Sequence, residues 1–168
     1  MKSLFVAVAC VCAIMMLIPI GGSAMIATLS LDDLIINSDV IVTLTLKTSK
    51  EAPKSSEGFT KIINTLSVGE VLKGDLKPQS DIIVETISGF EDSPVFEPRA
   101  RYLVFLKKTT TPNLFDVTNF VQGCWPMDPS GKLLGMGTGI TRTQVEVKII
   151  ETRNKKPAPP ASATVPEM

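Results

Sequence analysis

The chain has 168 residues, and its 17 basic residues balance its 17 acidic residues, so the formal net charge is zero. This balance leaves no excess positive charge for binding nucleic acid or an anionic membrane surface. Histidine is absent, which excludes Ser-His-Asp and Cys-His catalytic sites and the usual zinc ligand sets. Carboxylate, lysine and oxygen-ligand chemistry remain open.

The N-terminus has the three-part organisation of a secretory signal. Lys2 precedes an apolar run from Leu4 to Ile20, and the small residues 21–24 follow. We predict cleavage after Ala24 and an extracytoplasmic mature chain without membrane contact. Removal of Lys2 leaves 16 basic against 17 acidic residues, a formal net charge of −1. The alternatives are an uncleaved membrane anchor, for which the apolar run is short, and lipid attachment at Cys10.

The predicted mature chain, Met25–Met168, is long enough for one domain with its own core. We place that domain at residues 25–153. The tail, residues 154–168, is rich in Pro, Ala and Lys and is predicted to be disordered. After cleavage Cys124 is the only cysteine, so no intramolecular disulfide forms. It is expected to be a small buried apolar residue; dimerisation through it is the alternative.

The first predicted elements are a helix and a strand. Leu29 to Ser38 has apolar residues at helical spacing, with Ser30 as the N-cap. Val40 to Lys47 alternates between apolar and polar residues, which predicts a half-buried strand. Thr48 to Gly58 is polar and is predicted to be a loop.

A long strand is predicted over Phe59 to Leu72. Its apolar alternation changes parity around Gly69, so we expect a β-bulge there that brings Val68 and Val71 onto one face. A turn is expected at Lys73 to Asp75.

Four further strands complete the predicted sheet or barrel. Ile82 to Ile87 is the first of them. Arg101 to Lys107 is apolar on both faces, which predicts a central strand. Leu114 to Val121 and the short segment Lys132 to Met136 are the others.

A closing helix is predicted over Thr141 to Arg153, with Val145, Ile149 and Ile150 directed inward. Five or six closely spaced strands with one or two short helices indicate a mainly β protein. We predict a small, OB-like, partly closed β-barrel.

The order of several segments resembles a family of exported bacterial and archaeal domains, mostly of unknown function, with a fold like the tissue inhibitors of metalloproteinases. The matching segments are Ser38–Val42, Val68–Asp75, Arg101–Leu106, and Gly123 with Asp128–Gly131. The resemblance implies an OB-like, partly closed barrel and brings no activity with it. The inhibitors chelate protease zinc through an N-terminal cysteine, whereas the predicted mature chain begins with Met25.

Four residues are candidates for partner binding. Trp125 and Met127 are an apolar anchor or, alternatively, core residues beside a turn. Arg99 and Arg101 flank the central strand; they either bind a carboxylate or sulfate or form ion pairs with Glu97 or Glu91.

The acidic segment contains Glu91, Asp92 and Glu97. These residues do not have the spacing of a calcium loop, and a solvated loop is expected. We predict no catalytic residue, metal or cofactor, and no nucleic-acid partner.

The resulting expectation is an exported, non-enzymatic domain that binds a protein or a cell-envelope component, with its oligomeric state left open. One alternative is an extracellular protease inhibitor that acts without an N-terminal cysteine. A further alternative is a carboxylate-dependent hydrolase of envelope glycans, which requires two carboxylates about 5–10 Å apart.

Overall fold

The structure is a computed structural model, and it describes residues 27–54 and 58–154. The predicted signal segment, Met1–Ala24, and the tail beyond Asn154 lie outside the described residues. The main elements in chain order are α1 (Leu31–Ile36), β1 (Val40–Glu51), β2 (Lys61–Lys73), β3 (Asp81–Ile87), β4 (Arg101–Lys108), β5 (Leu114–Val117), β6 (Cys124–Met127) and α2 (Arg142–Asn154). Short 3₁₀ helices occupy Phe120–Gly123 and Gly135–Gly137.

Five strands form a closed barrel, so the predicted mainly β, OB-like fold is confirmed. The strand order is β1-β2-β3-β5-β4, and β4 pairs again with β1 to close the ring. The β3–β5 pairing is parallel, and the other pairings are antiparallel. The β3–β5 ladder has only two residue pairs, which makes it the narrowest seam of the barrel.

Two hydrophobic cores lie on opposite faces of β1 and β4. Val42 and Val104 belong to the barrel interior, whereas Ile41 and Phe105 belong to a second core beneath the helices. Each strand alternates between the two cores, since successive side chains point to opposite faces. This double burial confirms that the continuous apolar run of β4 is a central strand.

The helix α1 is held at both ends. The Ser30 side chain accepts a hydrogen bond from the Asp33 amide at 3.1 Å, which confirms the predicted N-cap. At the other end, Lys73 Nζ donates to the carbonyl oxygens of Ile35 at 2.7 Å and Ser38 at 2.6 Å. Partial burial lowers the pKa of Lys73. Lys73 therefore ties the end of β2 to the end of α1.

The predicted bulge is present at Gly69. The β1–β2 register pairs Val42 with Val71 and Leu44 with Val68, so three steps on β2 oppose two on β1. Both valines consequently face the barrel interior. A Cβ on Gly69 would lie 2.5 Å from Thr43 Oγ1, so the bulge leaves no room for a side chain.

Several predicted element boundaries are wrong. The segment Thr48–Glu51 belongs to β1 and pairs with β2, because cross-strand hydrogen bonds form there despite its polar sequence. Lys132–Met136 is not a strand; only Leu133 forms a bridge, to Met127. Ile150 is 59% exposed on α2, whereas Val145 and Ile149 are buried as predicted.

The strand predicted over Leu114–Val121 is divided in two. Its first part, β5, and the unpredicted β6 both pair antiparallel with the same edge of β4. The Thr118 amide donates to the Phe105 carbonyl at 2.8 Å, and Cys124 is already paired with Val104. Residues Asn119–Gly123 therefore form a loop that projects from the strand between the residue opposite Phe105 and the residue opposite Val104. We call it the 119–123 loop.

No helix in the described part of the chain combines the length and the apolar character needed to cross a membrane.

Candidate functional site

One end of the barrel contains an internal layer of polar side chains. Asn64 is 2% exposed, and its Nδ2 donates to Thr86 Oγ1 at 3.0 Å and to the Val84 carbonyl at 3.2 Å. Ser49 Oγ donates to Asn64 Oδ1 at 3.0 Å. These groups satisfy one another, so the layer carries no unpaired buried polar atom.

A cavity of about 280 Å³ lies against this polar layer. Its other side is formed by the loop 88–100, which contributes Phe90, Val95 and Phe96. The Ser93 hydroxyl accepts a hydrogen bond from the Ile87 amide at 2.8 Å and anchors that loop to the end of β3. We call this end of the barrel the mouth.

A second depression, the seam groove, lies next to the mouth where β3 and β5 separate. It has a volume of about 340 Å³. Its walls come from β2, β3, β5 and the two adjoining loops. The lining residues are Lys61, Glu85, Thr86, Ile87, Ser93, Pro94, Asp116, Val117 and Phe120.

Two carboxylates and one ammonium group lie in the seam groove. The parallel register pairs Val84 with Phe115, so Glu85 and Asp116, the next residue on each strand, are neighbours. Lys61 Nζ lies 2.9 Å from Glu85 Oε2. The Glu85 carboxylate raises the pKa of Lys61, and Asp116 adds a smaller contribution in the same direction. Lys61 is thus paired with Glu85, and Asp116 acts on it only at longer range.

The rim of the seam groove is aromatic. Phe90 and Phe120 are each 42% exposed, and their ring centroids are 5.7 Å apart with the planes tilted by 60°. The Val121 amide donates to the Asp92 carbonyl at 2.9 Å, joining the 119–123 loop to the loop that carries Phe90. This backbone hydrogen bond holds together the two loops that carry the rings.

Phe120 has an unfavourable backbone conformation. Its φ is +54°, and that of the preceding Asn119 is +52°. A left-handed conformation at a residue other than glycine costs on the order of 1–3 kcal/mol, and a bulky residue seldom adopts it. Burial offsets this strain only in part, since 42% of the residue remains exposed. Strain of this kind is concentrated at functional sites.

Contacts at the neck of the 119–123 loop maintain this conformation. Asn119 Nδ2 and Gln122 Nε2 both donate to the Ala27 carbonyl, at 3.0 and 3.2 Å. Gln122 Oε1 accepts from the Leu29 amide at 2.9 Å. A Cβ on Gly123 would lie 2.1 Å from the Thr118 carbonyl oxygen, so only glycine fits where the two ends of the loop meet.

The structure separates the four residues predicted for partner binding. Trp125 is 1% exposed and Met127 is 9% exposed, and both lie in the second core. The Trp125 ring packs edge-on against Phe105 at 4.8 Å, and its Nε1 donates to the Gln122 carbonyl at 2.6 Å. These contacts make Trp125 a core residue in this structure.

Arg99 and Arg101 are exposed, and neither lines the seam groove. Arg101 is the register partner of Met127, and Arg99 has a φ of +67°. The ion pairs expected with Glu97 or Glu91 are not formed among the described residues.

None of the three carboxylates of the acidic segment lines the seam groove. Glu91 and Glu97 are exposed and Asp92 is half-buried. Within residues 27–54 and 58–154, no group of three acidic or cysteine side chains is placed to hold a metal ion. The neighbouring carboxylates, Glu85 and Asp116, come instead from two strands far apart in sequence.

Sequence reasoning missed Phe90, Phe120, Glu85 and Asp116. Glu85 and Asp116 occupy ordinary polar positions of alternating strands, and no local pattern distinguishes them. Phe120 was included in a predicted strand. The only available signal was the Asn119-Phe120 pair, since Asn is enriched at left-handed positions.

Cys124 is buried in the barrel interior and has no disulfide partner among the described residues. Burial raises the pKa of its thiol from the ordinary value of 9.0 to about 12. The buried apolar role predicted for it is confirmed.

Native Cys124 is expected to resist iodoacetamide and to react after unfolding, because the thiolate is the nucleophile. Peptide mass spectrometry would distinguish it from Cys10 and Cys12.

The same thiol gives stability a pH dependence. Between pH 9 and about 12 the unfolded chain releases a proton that the folded chain keeps. The stabilisation is complete below this range and is lost as the pH rises, by about 1.4 kcal/mol per pH unit. The free energy of unfolding would be measured in urea at pH 8 and at pH 10. It should fall more between these two pH values for the unmodified chain than for Cys124→Ala. Equal losses would contradict the burial of Cys124.

Comparison with known proteins adds no family to these observations: no protein-family model matches the chain, and no curated protein matches it significantly.

Proposed function

We propose that the chain is an exported, non-enzymatic binding domain that recognises a protein or cell-envelope partner through the seam groove and its aromatic rim. The export part of this proposal rests on the N-terminal sequence, in which a basic residue, an apolar run and small residues follow in order. The binding part rests on the geometry of the barrel mouth.

The observation that carries the proposal is the exposed, strained Phe120. Five residues are looped out of a strand that otherwise continues along β4 from β5 to β6. The product of this insertion is a partly exposed aromatic ring beside a groove of about 340 Å³. The loop adds backbone strain, and 42% of the Phe120 side chain remains exposed. Aromatic side chains, phenylalanine among them, are enriched in the cores of protein interfaces.

The groove shares only its strands with the ligand site typical of OB-like barrels. Those barrels bind ligands on the face of strands two and three and with the loops between strands one and two and between strands four and five. Here Lys61 and Glu85 come from β2 and β3, whereas Pro94 and Phe120 come from the β3–β4 and β5–β6 loops.

The first test separates binding from stability at one residue. Phe120→Gly removes the ring and relieves the left-handed strain, which costs about 1–2 kcal/mol in a residue with a side chain. It also removes the contact with Phe90, an aromatic pair of about 0.5–1.5 kcal/mol. We therefore expect a free energy of unfolding within about 1 kcal/mol of the unmodified protein, together with loss of partner binding.

Binding would be measured by photo-crosslinking and affinity capture from secreted and envelope fractions of the native host. Ile150→Gly is unsuitable as a control because it would weaken a helix, so Ile150→Ala is the matched change. Ile150 is an exposed apolar residue on α2, away from the seam groove. A partner captured by the unmodified chain and Ile150→Ala but not by Phe120→Gly supports the proposal. Capture that is indifferent to Phe120, or no specific capture, contradicts it.

A further inference from the structure

Among the residues that line the seam groove, two carboxylates face one ammonium group. Glu85 is paired with Lys61 at 2.9 Å, whereas no ion pair involves Asp116 among the described residues. The register partner of Asp116 on β4 is Lys107, which does not line the groove and forms no ion pair within the described part of the chain. A carboxylate of this kind, next to a second carboxylate, favours an incoming positive charge.

A second lining residue of the groove suits the same charge. Phe120 lines the groove and leaves 42% of its surface exposed. The face of an aromatic ring attracts a guanidinium or ammonium group, and arginine is the more frequent partner. Phe90, in contact with Phe120, extends this aromatic surface.

Part of the remaining lining of the groove is apolar. Ile87, Pro94 and Val117 contribute to its lining. Such a surface accommodates the methylene stem of a long basic side chain, whose charged end then reaches the carboxylate. Phosphate and acidic sugars are disfavoured by the net negative charge of the lining residues, one lysine against two carboxylates. A bare metal ion is disfavoured because only Asp116 is free to coordinate it.

We infer that the seam groove binds an arginine or lysine side chain of a partner polypeptide, with the cation between Asp116 and the Phe120 ring and with apolar partner residues against the neighbouring walls. This inference rests on the proposed function, since it names the chemistry recognised at the same site. It predicts a polypeptide ligand rather than a glycan or nucleic acid.

The test uses the full chain and peptide probes that differ at one residue. The probe is acetyl-Leu-Phe-Arg-Leu-Phe-amide, and the comparison peptides carry Gln or Glu in place of Arg. Binding would be followed by amide chemical shifts in NMR titrations. We expect the Arg peptide to perturb residues 85–87 and 116–120 and to bind at least fivefold more tightly than the Gln peptide. The Glu peptide should bind most weakly.

Charge-specific variants complete the design. Asp116→Asn should reduce affinity for the Arg peptide about three- to tenfold and remove the preference over Gln, since the ion pair is lost. Asp75→Asn makes the same change in the turn after β2, at the opposite end of the barrel, and should leave both affinities unchanged. Higher salt should weaken the Arg peptide more than the Gln peptide.

The possible results separate the inference from the proposed function. Equal affinity of the groove for the Arg and Gln peptides, or a preference for the Glu peptide, would overturn the inference of a cationic ligand. The proposed binding function of the groove would then still stand. Binding of the Arg peptide elsewhere would also overturn it. If no peptide binds and Phe120→Gly does not alter partner capture, both proposals fail.

Discussion

Replacing Trp125 with alanine is expected to lower the free energy of unfolding by about 3–5 kcal/mol, the usual cost of removing a buried tryptophan. The residue is 1% exposed and packs against Phe105 between β4 and the helices. Since small domains are stable by only about 5–15 kcal/mol in total, this variant should be close to unfolding at 25 °C. Urea denaturation followed by circular dichroism would measure the loss without relying on tryptophan fluorescence.

A matched surface change provides the comparison for Trp125→Ala. Val95→Ala removes an apolar side chain that is 74% exposed and should change the free energy of unfolding by less than about 0.5 kcal/mol. If Trp125→Ala kept full stability and instead abolished partner binding, the residue would be the surface anchor that was one interpretation of its sequence position. A partial loss in Trp125→Phe would support the core assignment.

Replacing Gly123 with alanine is the second large effect. The new Cβ would lie 2.1 Å from the Thr118 carbonyl oxygen and 3.2 Å from Val117 Cγ1. Backbone atoms cannot rotate away as a flexible side chain does, so the neck of the 119–123 loop must open. We expect the free energy of unfolding to fall by about 3 kcal/mol, which is the upper end of the usual cost of overpacking. Urea unfolding would measure the loss.

Gly139→Ala is the control for Gly123→Ala. A Cβ on Gly139 meets no atom within 4 Å, although its φ is +85°. Its expected cost is therefore only the conformational one, about 1–2 kcal/mol. Because the neck positions Phe120, Gly123→Ala should also impair partner binding, whereas Gly139→Ala should not. Equal free energies of unfolding for the two variants would contradict the close contact between Gly123 and the Thr118 carbonyl oxygen.

The local elements were predictable where burial alone sets the pattern. The alternation of Val40, Val42 and Leu44 in β1 follows from one face in the barrel interior. The apolar run of β4 is continuous because both of its faces are covered. The parity change around Gly69 was readable for the same reason, since a bulge is the way to keep Val68 and Val71 on one face.

Two of the strand errors have a physical cause in pairing rather than in burial. The polar end of β1 is held in a strand by its hydrogen bonds to β2, which hydrophobic alternation does not reveal. The strand β6 is only four residues long and contains Pro126, so its sequence has the signals of a turn. It exists because the edge of β4 beyond β5 offers it a partner.

The sequence by itself determined the barrel class, the positions of β1 to β4 and of both helices, and the absence of histidine chemistry, because composition and short-range periodicity depend only on neighbours along the chain. The tertiary structure alone decided the candidate site. Glu85 and Asp116 become neighbours through the parallel β3–β5 pairing, and Phe120 is exposed through the 119–123 loop. Both arise from contacts between distant segments, which no local pattern encodes.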